Sequence, residues 1–295
     1  MKDILHMIES LKAGAHDPNG LSALNGLGFI SCANAVHIKH VPFYEPCIIL
    51  VLSGRKMFFH AGKSITCDTG HVLTVPAPAS FDLKNEPDTR SKQYRALIIP
   101  FAHDLLERLE QAHNMAADGR PRETRILKFV PEDGLIASIK HYLTSLSDAR
   151  LRAHRLMEIL LVLVNKNPEL LAYAVHRKSW SQRVRAIVAM DLAEPWGINE
   201  ICQRLATTES TLRRHLKQEK TGFRELISEM RLTTALMQLL QTSLPIYQIA
   251  YNCGYQSVSR FSSNFHKRFG LAPRAFRESM DEVEQTLTVS EHSRP

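Results

Sequence analysis

The period of apolar positions along the chain changes near residue 103. Between Cys47 and Leu83, "CIILVLSGRKMFFHAGKSITCDTGHVLTVPAPASFDL" breaks into short apolar or alternating runs, cut by Ser-Gly, Ala-Gly, Thr-Gly and Pro-x-Pro. Such runs predict short antiparallel strands joined by tight turns, and "YRALIIPF" predicts one more. Strands at this spacing suggest a small barrel or jelly roll. Residues 1 to about 25 read as a helix and then a loop at "HDPNG". From His103 the spacing becomes helical, in "HDLLERLEQAHN", "EDGLIASIKHYLTSL" and "RAHRLMEILLVLVNK". "RPRETRILKFVPEDG" reads as a connection. "NPELLAYAVHRK" closes the region with Pro168 at a helix start. A linker is expected at His176–Ser179, and everything after Trp180 is expected to be helical. The fold class predicted is α+β, with a β-barrel and following helices in front of an all-α domain. The expected divisions are 1–102, 103–178, 179–282 and a frayed, acidic tail at 283–295.

The helical part repeats itself. "INEICQRLATTESTLRRHLK" aligns with "IYQIAYNCGYQSVSRFSSNFHK". Ile198 matches Ile246, Ile201 matches Ile249, Leu205 matches Cys253 and Ala206 matches Gly254. Leu212 and Leu216 then match Phe261 and Phe265, with one extra residue in the second copy. Each copy predicts a short helix, a tight turn at a small residue, and a second helix with apolar residues at i and i+4. That is helix-turn-helix. Between the copies "TGFRELISEMRLTTALMQLLQ" predicts a helix of about eighteen residues, or about 27 Å at 1.5 Å per residue. A rod of that length suits two successive major-groove segments about 34 Å apart.

Charge sharpens this picture. The formal net charge is +7, and residues 181–280 hold fourteen Lys and Arg against eight acids. A basic excess beside a duplicated helix-turn-helix points to double-stranded DNA. The five cysteines are odd in number and scattered without metal spacing, so they read as reduced thiols of a cytoplasmic protein. No apolar run is long enough to span a bilayer, so no membrane partner is expected. The first residues, "MKDILHMIESLKAG", do not read as a signal peptide.

The segment from about Ser181 to Met280 resembles the DNA-binding domain of the AraC/XylS family of bacterial transcription regulators. The residues that carry the resemblance are Ile249–Ala250, Gly254–Tyr255, Ser257, Phe261 and Phe265, Gly270 and Pro273, and Phe276–Arg277. The first copy departs from the family pattern, being one residue shorter before Phe223. The N-terminal half resembles the family's sensor domain, a cupin-like β-barrel followed by helices, through its turns at Gly54, Gly62 and Gly70 and a strand ending at Pro76. The resemblance implies a transcription regulator, an activator by expectation. Its implied partners are double-stranded DNA, RNA polymerase, a small-molecule effector and a second copy in a homodimer.

Facing assigns candidate residues. In the first copy Leu212 and Leu216 point inward, and Ser210, Arg213, Arg214 and Lys217 point out. Arg offers a bidentate fork for guanine, and Lys neutralises phosphate. In the second copy Phe261 and Phe265 anchor the helix. Ser259, Arg260 and Ser263 face the groove, Asn264, Lys267 and Arg268 are backbone contacts, and Ser257 is a further DNA-binding candidate. Each has plain solvated surface as its alternative. In the barrel Ile49, Val51, Met57, Phe59 and Ile65 are expected inside, with Arg55, His60 and Lys63 as nearby polar groups. Arg55, Met57, Phe59, His60 and Lys63 are therefore the effector-binding candidates. They suit a small, partly apolar molecule or anion. A one-residue slip of register would swap the faces. By the resemblance Arg152–Val164 packs across a dimer; alternatively Leu156, Ile159, Leu160 and Leu163 fill the domain's own core. His60 and His71 stand alone, so neither a metal nor a cofactor is expected. No phosphate loop, nucleophile elbow or other catalytic constellation is present, so no enzyme is expected. The alternative function is a DNA-binding regulator whose N-terminal domain binds a partner protein and no small molecule.

Overall fold

The computed structural model describes residues 1–13, 27–113, 126–167, 170 and 179–281. The chain divides near residue 175 into two compact units, with Leu240–Ser243 and the residues from Ala275 onward grouped with the first. The expected helix at Pro168, most of the linker at His176–Ser179 and the tail at 283–295 lie outside the described residues.

The first unit opens with α1 (Lys2–Ala13) and continues through eight strands. These are β1 (Gly28–Cys32), β2 (Val36–Phe43), β3 (Cys47–Ser53), β4 (Arg55–His60), β5 (Lys63–Asp68), β6 (Val72–Val75), β7 (Ala79–Glu86) and β8 (Tyr94–Pro100). After α2 (His103–His113) comes a ninth strand, β9 (Leu127–Phe129), then α3 (Asp133–Thr144) and α4 (Ala149–Lys166). The strands form two antiparallel sheets, in the orders β1-β8-β3-β6-β9 and β2-β7-β4-β5. Together they make the cupin-like barrel. The stretch read as a connection therefore holds a strand, since Leu127–Phe129 pairs with Val72–Thr74 of β6. Three residues are too few to display an alternation. The sequence reading also omits β1 and β2, because β1 is short and β2 carries Pro42 and two histidines.

Gly54 makes the β3–β4 turn at φ +80°, where a Cβ would meet the Glu86 carbonyl oxygen at 2.4 Å. Only glycine fits that combination of left-handed backbone and close approach. The two faces of β3 have different neighbours. Ile48, Leu50 and Leu52 join the helices in one core with Ile4 and Ile8 of α1, Leu106 and Leu109 of α2, Ile139 of α3, and Ile159, Leu160 and Leu163 of α4. Ile49 and Val51 are also fully buried, on the barrel's interior side. Leu156 packs partly buried against the helical core. The apolar stripe of α4 thus packs into the core of its own unit. Asp148 caps α4, its carboxylate accepting from the amides of Arg150 and Leu151.

The second unit is helical: α5 (Trp180–Val188), α6 (Ile198–Arg204), α7 (Glu209–Gln218), α8 (Phe223–Gln241), α9 (Ile246–Asn252) and α10 (Val258–Phe269). A last helix, α11 (Pro273–Asp281), follows. Ser179 and Gln182 form a reciprocal capping box at the start of α5. Among the described residues, no helix is long and apolar enough to cross a membrane.

Candidate nucleic-acid interface and barrel interior

The duplication is real in the backbone. Each copy pairs a seven-residue helix, α6 or α9, with a longer one, α7 or α10. The turns sit where the alignment places them, and both turn residues are left-handed: Ala206 at φ 49° and Gly254 at φ 75°. The crowding differs. At Gly254 a Cβ would lie 2.7 Å from the Arg231 guanidinium carbon and 2.7 Å from the Leu192 carbonyl oxygen. The matched apolar residues are buried in both copies: Ile201 and Ile249, Leu212 and Phe261, Leu216 and Phe265. Phe261, Phe265 and Phe269 follow one another along α10 in tilted and edge-to-face contact, with centroids 5.6 Å and 4.8 Å apart. Gly270 ends that helix at φ 81°.

The opposite faces are polar. On α7, Ser210, Arg213, Arg214 and Lys217 are all exposed. Arg213 is held within its helix, its Nε and Nη2 each 2.7 Å from the same Glu209 oxygen. On α10, Ser259, Arg260, Ser263 and Lys267 are exposed. Three other candidates have occupations inside the protein. The Ser257 hydroxyl caps α10, accepting from the Arg260 amide at 3.4 Å. Asn264 is half-buried and hydrogen-bonded to Tyr255. Arg268 is half-buried and pairs with Glu229 at 2.9 Å.

The start of α5 is tied to α7. The Glu219 carboxylate, just past the end of α7, accepts the amides of Trp180 at 2.7 Å and Ser181 at 2.9 Å. This supplies a remote carboxylate to a helix N-terminus. His215 of α7 stacks on Trp180, with centroids 4.7 Å apart and planes 9° from parallel. The Arg183 guanidinium covers the same indole at 4.4 Å. Trp196, the other tryptophan, donates from its indole nitrogen to the Asp191 carbonyl at 2.7 Å.

In the first unit the effector candidates need a correction of register. Along β4, Lys56 and Phe58 are buried and Arg55 is exposed. Arg55 pairs with Asp68 at 2.8 Å, both about half exposed. Met57 and Phe59 share the outer face with Arg55, and Phe59 lies 5.8 Å from the exposed His37 ring. Met57 and Phe59 are therefore not the inward pair. His60 and Lys63 pair across β4 and β5 on the same side as Lys56 and Phe58, but at the exposed strand ends. The apolar run Met57-Phe58-Phe59 has no alternation to choose a register by, and a lysine in a strand reads as outward.

Lys56 is the residue the sequence reading misses. It is fully buried, its ammonium 2.8 Å from the Asn85 amide oxygen and 5.5–5.6 Å from the ring centres of Phe58 and Tyr94. Burial pulls its pKa down to about 8, against the thiols of Cys32, Cys47 and Cys67, which act the other way. Burial in turn pushes each of those three thiols up to about 12. Among the described residues the buried Tyr94 hydroxyl has no hydrogen-bond partner. A cation and an unmet hydroxyl inside one barrel are costly unless something answers them. Among the described residues no three His, Cys, Asp or Glu side chains gather as a metal-binding group.

Comparison with known proteins agrees with these two halves. The family described as "Helix-turn-helix domain" matches residues 201–279, and the family described as "ExsA N-terminal regulatory domain" matches residues 46–173. The HTH-type transcriptional regulator YdeO of Shigella flexneri is 41% identical over 96 residues, 32% of this chain and 38% of that protein. The urease operon transcriptional activator of Escherichia coli is 31% identical over 97 residues, 33% of each chain. The chain thus spans little more than a third of the length of these relatives. The fold resembles that of ToxT from Vibrio cholerae. One ToxT structure, the apo form of a single-residue variant, aligns with TM-score 0.63 at 16% identity over 86% of this chain and 97% of ToxT. A second, described as bound to an unsaturated fatty acid, aligns with TM-score 0.61 at 15% identity over 87% and 96%. A regulatory-domain match over the barrel and its helices, a helix-turn-helix match over the duplicated unit, and named regulators among the relatives meet in one conclusion: the chain belongs to the AraC/XylS family of transcription regulators.

Proposed function

We propose that this protein is a cytoplasmic, sequence-specific DNA-binding activator of transcription whose N-terminal unit senses a small molecule. The observation that carries the DNA reading is the duplicated helix-turn-helix with exposed cations on the second helix of each copy. In this reading Ser210, Arg213, Arg214 and Lys217 of α7 and Ser259, Arg260, Ser263 and Lys267 of α10 meet the duplex. Lys and Arg supply affinity through counterion release, and the two helices supply sequence choice. Ser257 caps the exposed start of α10, and the half-buried Asn264 and Arg268 brace it from within. RNA polymerase is the partner that an activator requires, and the mechanism is binding without covalent chemistry.

For the sensor, the buried Lys56 ammonium and the unpartnered Tyr94 hydroxyl favour a ligand with an acidic head and an apolar body. ToxT, which shares the fold, has been solved with an unsaturated fatty acid bound. Residues 1–102 then sense, 103–178 pair two copies, and 179–282 read DNA. A ligand shifts the DNA-competent population only by its differential affinity for that state. One specific observation favours the partner-protein reading instead: the barrel interior is already occupied by buried side chains of its own, Ile49, Val51, Phe58 and Tyr94 among them.

The test has two arms. Selection from random duplexes with the full chain should enrich one operator, and that operator should direct activated transcription by purified RNA polymerase. Recovery of no common sequence sinks the DNA reading. Oleate and decanoate should then raise the thermal midpoint of the full chain, less so for Lys56→Met, and should change operator affinity by linkage. A midpoint that neither acid moves leaves the sensor reading without support and promotes the partner-protein one.

A further inference from the structure

The connecting helix α8 does more than space the two copies. At its centre the Glu229 carboxylate is shared between two arginines on different helices. One oxygen takes Arg185 of α5 at 3.0 Å; the other takes Arg268 of α10 at 2.9 Å. All three side chains are largely shielded, with 17–28% of their surface exposed. Two residues on, about 200° around the helix at 100° per residue, Arg231 makes the matching connection. Its Nε and Nη2 donate to the carbonyls of Leu192 and Glu194 in the loop after α5, at 2.9 and 2.8 Å. Its Nη1 reaches the Gly254 carbonyl in the second turn at 3.3 Å. Both sides of α8 thus bind the first copy's leading elements to the second copy.

We infer that Glu229, with Arg268, is a positioning pair that fixes α10 relative to the first helix-turn-helix and so sets the spacing at which the protein accepts its two half-sites. Arg268 acts through Glu229 and makes no phosphate contact. Shielded, charge-assisted pairs hold geometry better than exposed ones, because solvent competes less and removing one partner strands the other. Arg185 and Arg268 sit on opposite partners of α8, so one carboxylate sets both. The inference rests on the DNA-binding reading for its consequence, and on the geometry alone for the clamp.

Two measurements on the full chain decide it. Spin labels on Gln218 of α7 and His266 of α10, both exposed, report the distance between the reader helices without DNA. Glu229→Gln, which keeps shape and loses charge, should broaden that distance distribution, and Arg268→Lys should restore part of what Arg268→Ala loses. An unchanged distribution in Glu229→Gln overturns the clamp, whatever the protein does with DNA. On the selected operator, Glu229→Gln and Arg268→Ala should each weaken binding about tenfold while leaving the salt slope intact. Both should also tolerate one inserted base pair between half-sites better than the wild type. A fall of about one unit in the salt slope for Arg268→Ala identifies a phosphate contact and overturns the positioning role. A wild type that selects no operator refutes the DNA reading, and the label distances still decide the clamp.

Discussion

Lys56 is the residue whose chemistry departs most from its type. Its pKa is lowered to about 8 from 10.5, so the folded state disfavours the proton that the unfolded chain keeps. The cost is fully present below pH 8 and fades as pH rises from 8 towards 10.5. Between pH 7 and pH 9 wild-type stability should gain about 1 kcal/mol from this group. Cys32, Cys47, Cys67 and Tyr94 face the same interior with raised pKa values, and they oppose the gain once pH passes about 9. Urea unfolding of wild type and Lys56→Met at pH 7 and pH 9 isolates the lysine. The advantage of the methionine variant should be larger at pH 7 than at pH 9, and an advantage equal at both would contradict the assignment. Gly254 offers a second residue-scale test. Gly254→Ala must carry a left-handed alanine, worth about 1–2 kcal/mol by itself, and must also displace Arg231 and the Leu192 carbonyl. Ala206 already carries such a backbone, so Ala206→Gly should be neutral or stabilising. Calorimetric midpoints of the two variants should move in opposite directions or differ clearly in size.

Among the elements, α7 and α10 were the most legible in the sequence; β1, β2 and β9 were missed, and β4 was legible as a strand but not in its register. Helix periodicity is local: Phe261, Phe265 and Phe269 declare an inner face within nine residues, and the matched turns at Ala206 and Gly254 repeat it. The roles at the edges of that face were less legible. Arg268 meets Glu229 from 39 residues away, and nothing in the local spacing distinguishes it from Lys267, which is exposed. In β4 three consecutive apolar residues hide the register, and the side chain that proves buried is a lysine. The polar faces give an element-scale prediction. Arg260→Ala should cost roughly 1–3 kcal/mol of specific binding and relax base preference at one or two positions. Lys267→Ala should weaken all sequences alike and flatten the salt slope. Binding titrations on the selected operator and its single-base variants separate the two patterns, and an Arg260→Ala protein with unchanged preference removes Arg260 from the readers.

At the scale of the molecule, a fragment from Ser179 to Asp281 contains both reading copies and their connecting helix. It should bind the operator as a monomer, more weakly than the whole chain, and should not respond to oleate. Sedimentation tests the first point, and a fragment that remains a dimer would contradict the role given to residues 103–178. The distribution of tryptophan gives the whole chain an optical asymmetry. The sequence has two, Trp180 and Trp196, and both belong to the helical unit. Indole emission therefore follows that unit and is blind to the barrel, whereas far-ultraviolet circular dichroism sees both. If the units melt as one, the two signals trace a single curve; if they melt apart, the curves separate, and the gap between them measures how far the units share their stability. Because Trp180 is stacked on a ring of α7 itself, the same emission also serves as a label-free reporter of what happens at a reader helix when DNA arrives.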